Sequence, residues 1–269
     1  MGQTSRNGNF YHFLGAGFSQ SVNFQTPSSL LGRMVLRVFA LLLLSSCATK
    51  YVVPGNRFIT PESQGGVFVT QVEYQQTQAI QLTINTDNGS VEEGVYYSPL
   101  KRSGFQFSSS LLEQFDFVWS HTGSGNSMLG LKFQALGASK STNGTGHKLA
   151  IVFMGGNNSH ETDDKAVEFD LSGSEYLLVY GFRINEIVLP YLGFSLATYN
   201  FNGAIASSNP SLNGQRPDYS TQIQSLVTGA ELSFGILLSK LEMSYQQLKT
   251  NKTKDKENIS FGYSLGFGF

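Results

Sequence analysis

The chain has 269 residues, 18 basic and 19 acidic, and only 14% of it is charged, with 13% aromatic residues. An average soluble domain carries about 25% charge. Low charge with 29 glycines argues against a disordered acidic chain, a coiled coil and a nucleic-acid binder. A single cysteine excludes a disulfide framework and a cysteine-based zinc site within one chain. His12, His121, His147 and His160 show no metal-ligand spacing, so no metal and no cofactor is expected.

In chain order, the first signal is a leader that starts inside the sequence. Met34 and Arg37 make a short basic start, Val38 to Leu44 an apolar run, and Ser45, Ser46 and Cys47 a small-residue end. This has the layout of a secretory signal and is far too short for a membrane-spanning helix of about 20 residues. Leu44, Ser45, Ser46 and Cys47 resemble the bacterial lipobox, which implies a diacylglycerol on the Cys47 thiol and cleavage before it. An ordinary signal peptide cut near Ala48 is the alternative. A leader belongs at a terminus, so residues 1–33 read as an over-extended start or an unstructured leader, and 34–46 as the signal peptide. Excluding 1–46 leaves 15 basic and 19 acidic residues, a net charge of −4 that gives no electrostatic reason to bind nucleic acid. Residues 47–64 then read as a periplasmic tether and 65–269 as one β-domain.

From there to the last residue the dominant period is two. The end of the chain alternates Ile259, Phe261, Tyr263, Leu265, Phe267 and Phe269 with Ser or Gly. One face of that strand is apolar and the other small or polar. The same alternation predicts strands over 66–85, 102–112, 115–122, 127–136, 146–156, 164–182, 187–202, 219–235, 239–248 and 258–269. Breaks of phase near Ser172–Ser174 and Tyr199 read as bulges or glycine bends. The connections 113–114, 183–186 and 236–238 are tight; 86–101, 157–163, 203–218 and 249–257 are longer and polar. The stretches 137–145 and 123–126 break this rule. An even strand number with alternating short turns and long loops is the pattern of an antiparallel up-and-down transmembrane β-barrel of about ten strands.

Tyr263, Leu265, Phe267 and Phe269 resemble the C-terminal β-signal of small bacterial outer-membrane β-barrel proteins. The resemblance implies insertion by the barrel assembly machinery into the outer membrane of a Gram-negative bacterium. Outer-membrane lipid and lipopolysaccharide then become partners, and both termini are expected on the periplasmic side. It implies no biochemical activity.

The alternate positions supply the predicted lumen: Glu73, Asp116, Lys132, Lys148, Glu168, Glu231 and Glu242, with Gln71, Gln134 and Asp170. Mixed signs suggest internal ion pairs and a filled barrel, since barrels of about eight strands are packed with side chains and aqueous channels need about 16. Gly193, Ser195, Ala197, Ser260, Gly262, Ser264 and Gly266 leave space for a narrow pore. The function expected is structural, surface-interacting or narrow-pore, without catalysis. A membrane-embedded hydrolase or protease is the alternative. Its candidates are His121, His160, Glu161, Asp163 and Asp164; the neighbours Ser120 and His121 point to opposite faces and cannot form a nucleophile–base pair directly.

Overall fold

Strict alternation can only be satisfied by a sheet with two unlike environments, and a closed sheet supplies them as outside and inside. The computed structural model describes residues 50–85, 92–122, 126–142, 144–161, 167–205, 214, 216, 218–250 and 255–269. Residues 1–49, with the leader and Cys47, lie outside the described residues.

The described chain forms eleven strands. They are β1 (Lys50–Pro54), β2 (Thr70–Asn85), β3 (Glu92–Leu112), β4 (Phe115–Thr122), β5 (Asn126–Leu136), β6 (Gly146–Glu161), β7 (Val167–Arg183), β8 (Val188–Ile205), β9 (Asp218–Phe234), β10 (Leu237–Thr250) and β11 (Lys256–Gly268). Each of β2 to β11 pairs antiparallel with its neighbours in the sequence, and β2 also pairs with β11. These ten strands therefore close into an antiparallel barrel. The last residue completes it: Phe269 and Thr70 exchange both backbone hydrogen bonds at 2.8 Å.

Outward positions carry the apolar residues. Phe117, Leu131, Phe153, Tyr176 and Leu196 are successive register partners around the wall. Such side chains stay exposed, Leu178 by 47% and Leu241 by 62%. Aromatic pairs buttress this belt, among them Phe115 on Phe133 at 4.7 Å and Tyr74 against Phe105 at 5.5 Å.

Two strands are longer than alternation suggests. β3 begins at Glu92, so most of the expected loop 86–101 is strand, and β6 continues to Glu161. In β3 the pairing steps from Gln78–Lys101 to Ala79–Ser98, leaving Pro99 and Leu100 as an unpaired bulge. Proline has no N–H to give a ladder, so the bulge accommodates it and also conceals the strand from a period count.

The breaks expected at 172–174 and Tyr199 are absent: β7 keeps continuous register with β6 and β8. Odd positions of β7 face inward throughout, with Leu171, Glu175, Leu177 and Val179 all buried. Asp170 is consequently exposed rather than lumenal. Glu168 has the same strand parity, so the backbone puts it on the outer face; its side chain lies outside the described residues. Apolar residues of this region turn inward, and the ladder does not break.

The largest departure concerns the expected tether. β1 pairs with the upper half of β2, Lys50 opposite Thr83 and Pro54 opposite Ala79. β11 reaches β2 only from Gln71 to Thr77, so β1 takes the edge that β11 leaves open. At the changeover the Gln78 carbonyl accepts from Gly55 N–H at 2.8 Å, and Gln78 Oε1 accepts from Phe261 N–H at 3.3 Å. Residues 53–64 are buried, and they continue down the barrel interior to the end that holds Phe269. A segment rich in backbone donors cannot cross a lumen unpaired, and it is the wall's polar side chains that pair it. The two ends of the described chain thus lie at opposite ends of the barrel, contrary to the expectation that both sit on the tight-turn side.

Glycine permits a close approach of the plug to the wall at β11. A Cβ on Gly262 of β11 would stand 2.6 Å from Phe58 Cζ and 2.8 Å from the Gln76 carbonyl oxygen. Gly262→Ala is expected to lower stability by about 1–3 kcal/mol through overpacking, measured as the urea midpoint of detergent-refolded protein with Trp119 fluorescence as the probe.

Candidate functional site

The interior has two zones. Toward the long-loop end it is apolar, with Val118, Met128, Met154, Leu171, Tyr199 and Phe201 packed together with Val53 and Ile80. Toward the tight-turn end it is charged, and the threaded segment joins the two.

Asn56 enters first. Its N–H donates to Thr77 Oγ1 at 3.0 Å, and its Oδ1 accepts from Ser260 Oγ at 3.1 Å. The Arg57 guanidinium then donates to Glu175 Oε2 from Nε at 2.7 Å and to the Tyr199 hydroxyl from Nη2 at 2.7 Å. The Glu242 carboxylate collects the Arg57 N–H at 2.8 Å, the Phe58 N–H at 2.9 Å and the Tyr191 hydroxyl at 3.0 Å. Phe58 is fully buried with φ +54°, a left-handed conformation that is uncommon for a bulky side chain. The surrounding bonds over-determine it, including Lys240 Nζ donating to its carbonyl at 2.8 Å.

Further down, Glu62 pairs with Arg183 and lies 3.4 Å from Lys148 Nζ, while its carbonyl accepts from Lys132 Nζ at 2.5 Å. Gln64 N–H donates to both oxygens of Asp116 at 3.1 Å, and Asp116 pairs with Lys132 at 2.8 Å. Lys240 bridges Glu73 at 2.5 Å, and Glu231 receives Lys140 at 2.8 Å and Arg183 at 3.0 Å. Lys140 sits on a 3₁₀ turn, Lys140–Thr142, between β5 and β6. Burial lowers its pKa, and the Glu231 carboxylate opposes that shift. Charged groups buried at this depth are tolerated only when paired and hydrogen-bonded.

Of the lumen residues named from the sequence, Glu73, Asp116, Lys132, Lys148, Glu231 and Glu242 are all buried in this network. Arg57, Glu62, Glu175, Arg183 and Lys240 belong to it as well and were not singled out. Glu175 and Arg183 share the odd parity of Leu177 and Val179, a signal hidden by the supposed phase break. Lys240 alternates with Glu242 and could have been found that way. Arg57 and Glu62 carry no periodic signal.

Three of the small residues have neighbours packed onto them or bonded to them. Phe58 lies over Gly262, Asn56 bonds Ser260, and Ser264 bonds Glu73. Tyr263, Leu265, Phe267 and Phe269 all face outward. His121 Nδ1 meets Ser127 Oγ at 2.9 Å, and its ring stacks with Trp119 at 6.0 Å. The side chains of His160 and Glu161, together with Asp163 and Asp164, lie outside the described residues. Among the described residues there is no His, Cys, Asp and Glu group that could hold a metal ion.

No family model matches the chain, and no curated protein matches it. Solved structures similar to it include Ail, the attachment invasion locus protein of Yersinia pestis. The two are 11% identical with a TM-score of 0.37, over 76% of this chain and 100% of Ail. Neisserial surface protein A is 13% identical with a TM-score of 0.35, over 77% and 98% of the two chains. The N-terminal β-barrel domain of Pseudomonas aeruginosa OprF is 12% identical with a TM-score of 0.32, over 76% and 99%.

Removing one partner of a buried ion pair costs about 3–5 kcal/mol. Lys240→Met is expected to lose about that much by leaving Glu73 unpaired, and Glu73→Gln with Lys240→Met to recover most of it. A double-mutant cycle on urea unfolding in micelles measures both.

Proposed function

We propose that this chain is an outer-membrane β-barrel of a Gram-negative bacterium, closed by its own N-terminal segment and acting through its long-loop face. Its role in this reading is structural or surface-interacting. It is neither an open channel nor an enzyme. The observation that carries the proposal is the buried segment 53–64, bonded to the wall along the lumen.

The exposed apolar belt supports the membrane location. Monomeric soluble proteins rarely expose contiguous apolar patches above a few hundred Å². In lipid every backbone group must be paired within the protein, and a closed barrel meets that condition. Loop lengths support the orientation. One end has connections of 2, 9, 4 and 2 residues and the other 6, 3, 5, 12 and 5. Short turns in such barrels are periplasmic and long loops extracellular; in this reading Phe269 is on the periplasmic side. Outward Tyr263, Leu265, Phe267 and Phe269 suit recognition by the assembly machinery. The belt faces outer-membrane lipid, and the loops reach the lipopolysaccharide layer. Cys47 supplies a lipid anchor in this reading.

Planar-bilayer recording tests the closed state. The intact protein is expected to give no steady conductance steps, and deletion of residues 53–64 to produce them; steady conductance of the intact protein would sink the reading. Phe194→Arg, at mid-height on the outer face, is expected to destabilise the inserted barrel by about 2–4 kcal/mol, read by the temperature at which the unboiled band shifts to the boiled mobility.

A further inference from the structure

Direction distinguishes this plug from a tether. The segment is threaded from the long-loop end toward the tight-turn end. Lys50 stands beside Thr83, two residues from the end of β2. Gly55 and Asn56 meet Gln78, Thr77 and Ser260 lower down. Glu62 and Gln64 reach Arg183 and Asp116 at the tight-turn end. The order of wall partners on β10 agrees: Gln246 Nε2 donates to the Gly55 carbonyl, the Glu242 carboxylate holds residues 57 and 58, and Lys240 follows below.

We propose that the chain crosses the membrane an eleventh time inside its own barrel, so that Lys50, the first described residue, stands at the cell-surface end. The proposal rests on the membrane reading above. It changes the place of the anchor. Cys47 is three residues upstream of Lys50, a reach of about 10 Å at full extension. The path back along β2 from Thr83 to Thr70 is about 40 Å. With residues 53–64 in the lumen, the periplasmic leaflet is therefore beyond the reach of a lipid on the Cys47 thiol. A lipid in the periplasmic leaflet requires residues 53–64 to leave the lumen, which strips the hydrogen bonds from Glu242 and leaves Glu175 without Arg57. Buried plug and inner-leaflet anchor are mutually exclusive.

The test uses the full chain with a short epitope inserted between Thr49 and Lys50, displayed on intact cells. Antibody binding to intact cells equal to that on permeabilised cells is the expected result. Binding only after the outer membrane is permeabilised overturns the proposal. Lys50→Cys in a Cys47→Ala background is the smaller probe, should the insertion disturb folding. A membrane-impermeant maleimide is expected to label it on intact cells, whereas Asn185→Cys in the tight turn between β7 and β8 stays unlabelled. Heat-dependent gel mobility of the same samples separates the two failures. A heat-shifting band with a shielded epitope removes the threading and leaves the barrel. A chain with no heat-shifting band removes the barrel and the threading with it.

Discussion

The charged side chains inside this barrel are almost all buried, so each must meet an opposite charge or a donor. That constraint shapes the whole molecule. The wall contributes Glu73, Asp116, Glu175, Glu231 and Glu242 against Lys132, Lys140, Lys148, Arg183 and Lys240, and the threaded segment adds one of each sign in Arg57 and Glu62. Glu242 is the clearest case, because among the described residues two backbone N–H groups and a tyrosine hydroxyl satisfy its carboxylate, with no ion pair. The carboxylate solvates the plug's backbone, and the plug's backbone solvates the carboxylate. Neither is stable at this depth alone.

The same constraint explains the division of the interior. Ion pairs gather toward the tight-turn end, where Arg183, Lys140 and Glu231 meet. The long-loop end is packed with Leu171, Tyr199, Phe201 and Met154. An interior filled in both zones is what small barrels do. Gly262, which looks like room for solutes in the sequence, is a seat for Phe58, and Gly173 and Gly229 likewise seat Tyr199 and Tyr191.

The barrel was legible because one physical cause acts at one period: a closed sheet with an apolar outer face and a polar interior alternates the two at every second position. Nine of the ten predicted strands fall within two or three residues of the observed strand at their tight-turn ends; the exception is the first, where 66–69 precede β2. At the long-loop ends most strands fall as close, and only β3 and β6 run well beyond, by ten and five residues. In β7 the outer face carries exposed Asp170 while Leu171 turns inward. A correct ladder then reads as a broken phase. The bulge at Pro99 hid ten residues of β3 for a related reason. Half of the interior network was visible as charges at alternate positions. Of the other half, Glu175, Arg183 and Lys240 alternate on their strands as well, whereas Arg57 and Glu62 lie on a segment whose conformation answers to the wall around it. Arg57 finds its partners 118 and 142 residues away, and Asn56 bonds a carbonyl 186 residues away. No local pattern encodes contacts of that range.

The seam between β2 and β11 has a consequence for the order of events in assembly. It joins the first strand of the ring to the last, and its lowest bonds use the terminal residue. The ring therefore stays open until the whole chain is in place. The plug bonds both strands of that seam, Asn56 to Thr77 of β2 and to Ser260 of β11, so residues 53–64 take their place as β11 zips onto β2. The plug is then a mandrel for its own barrel, and the charge pairs that hold it are formed as the cylinder shuts.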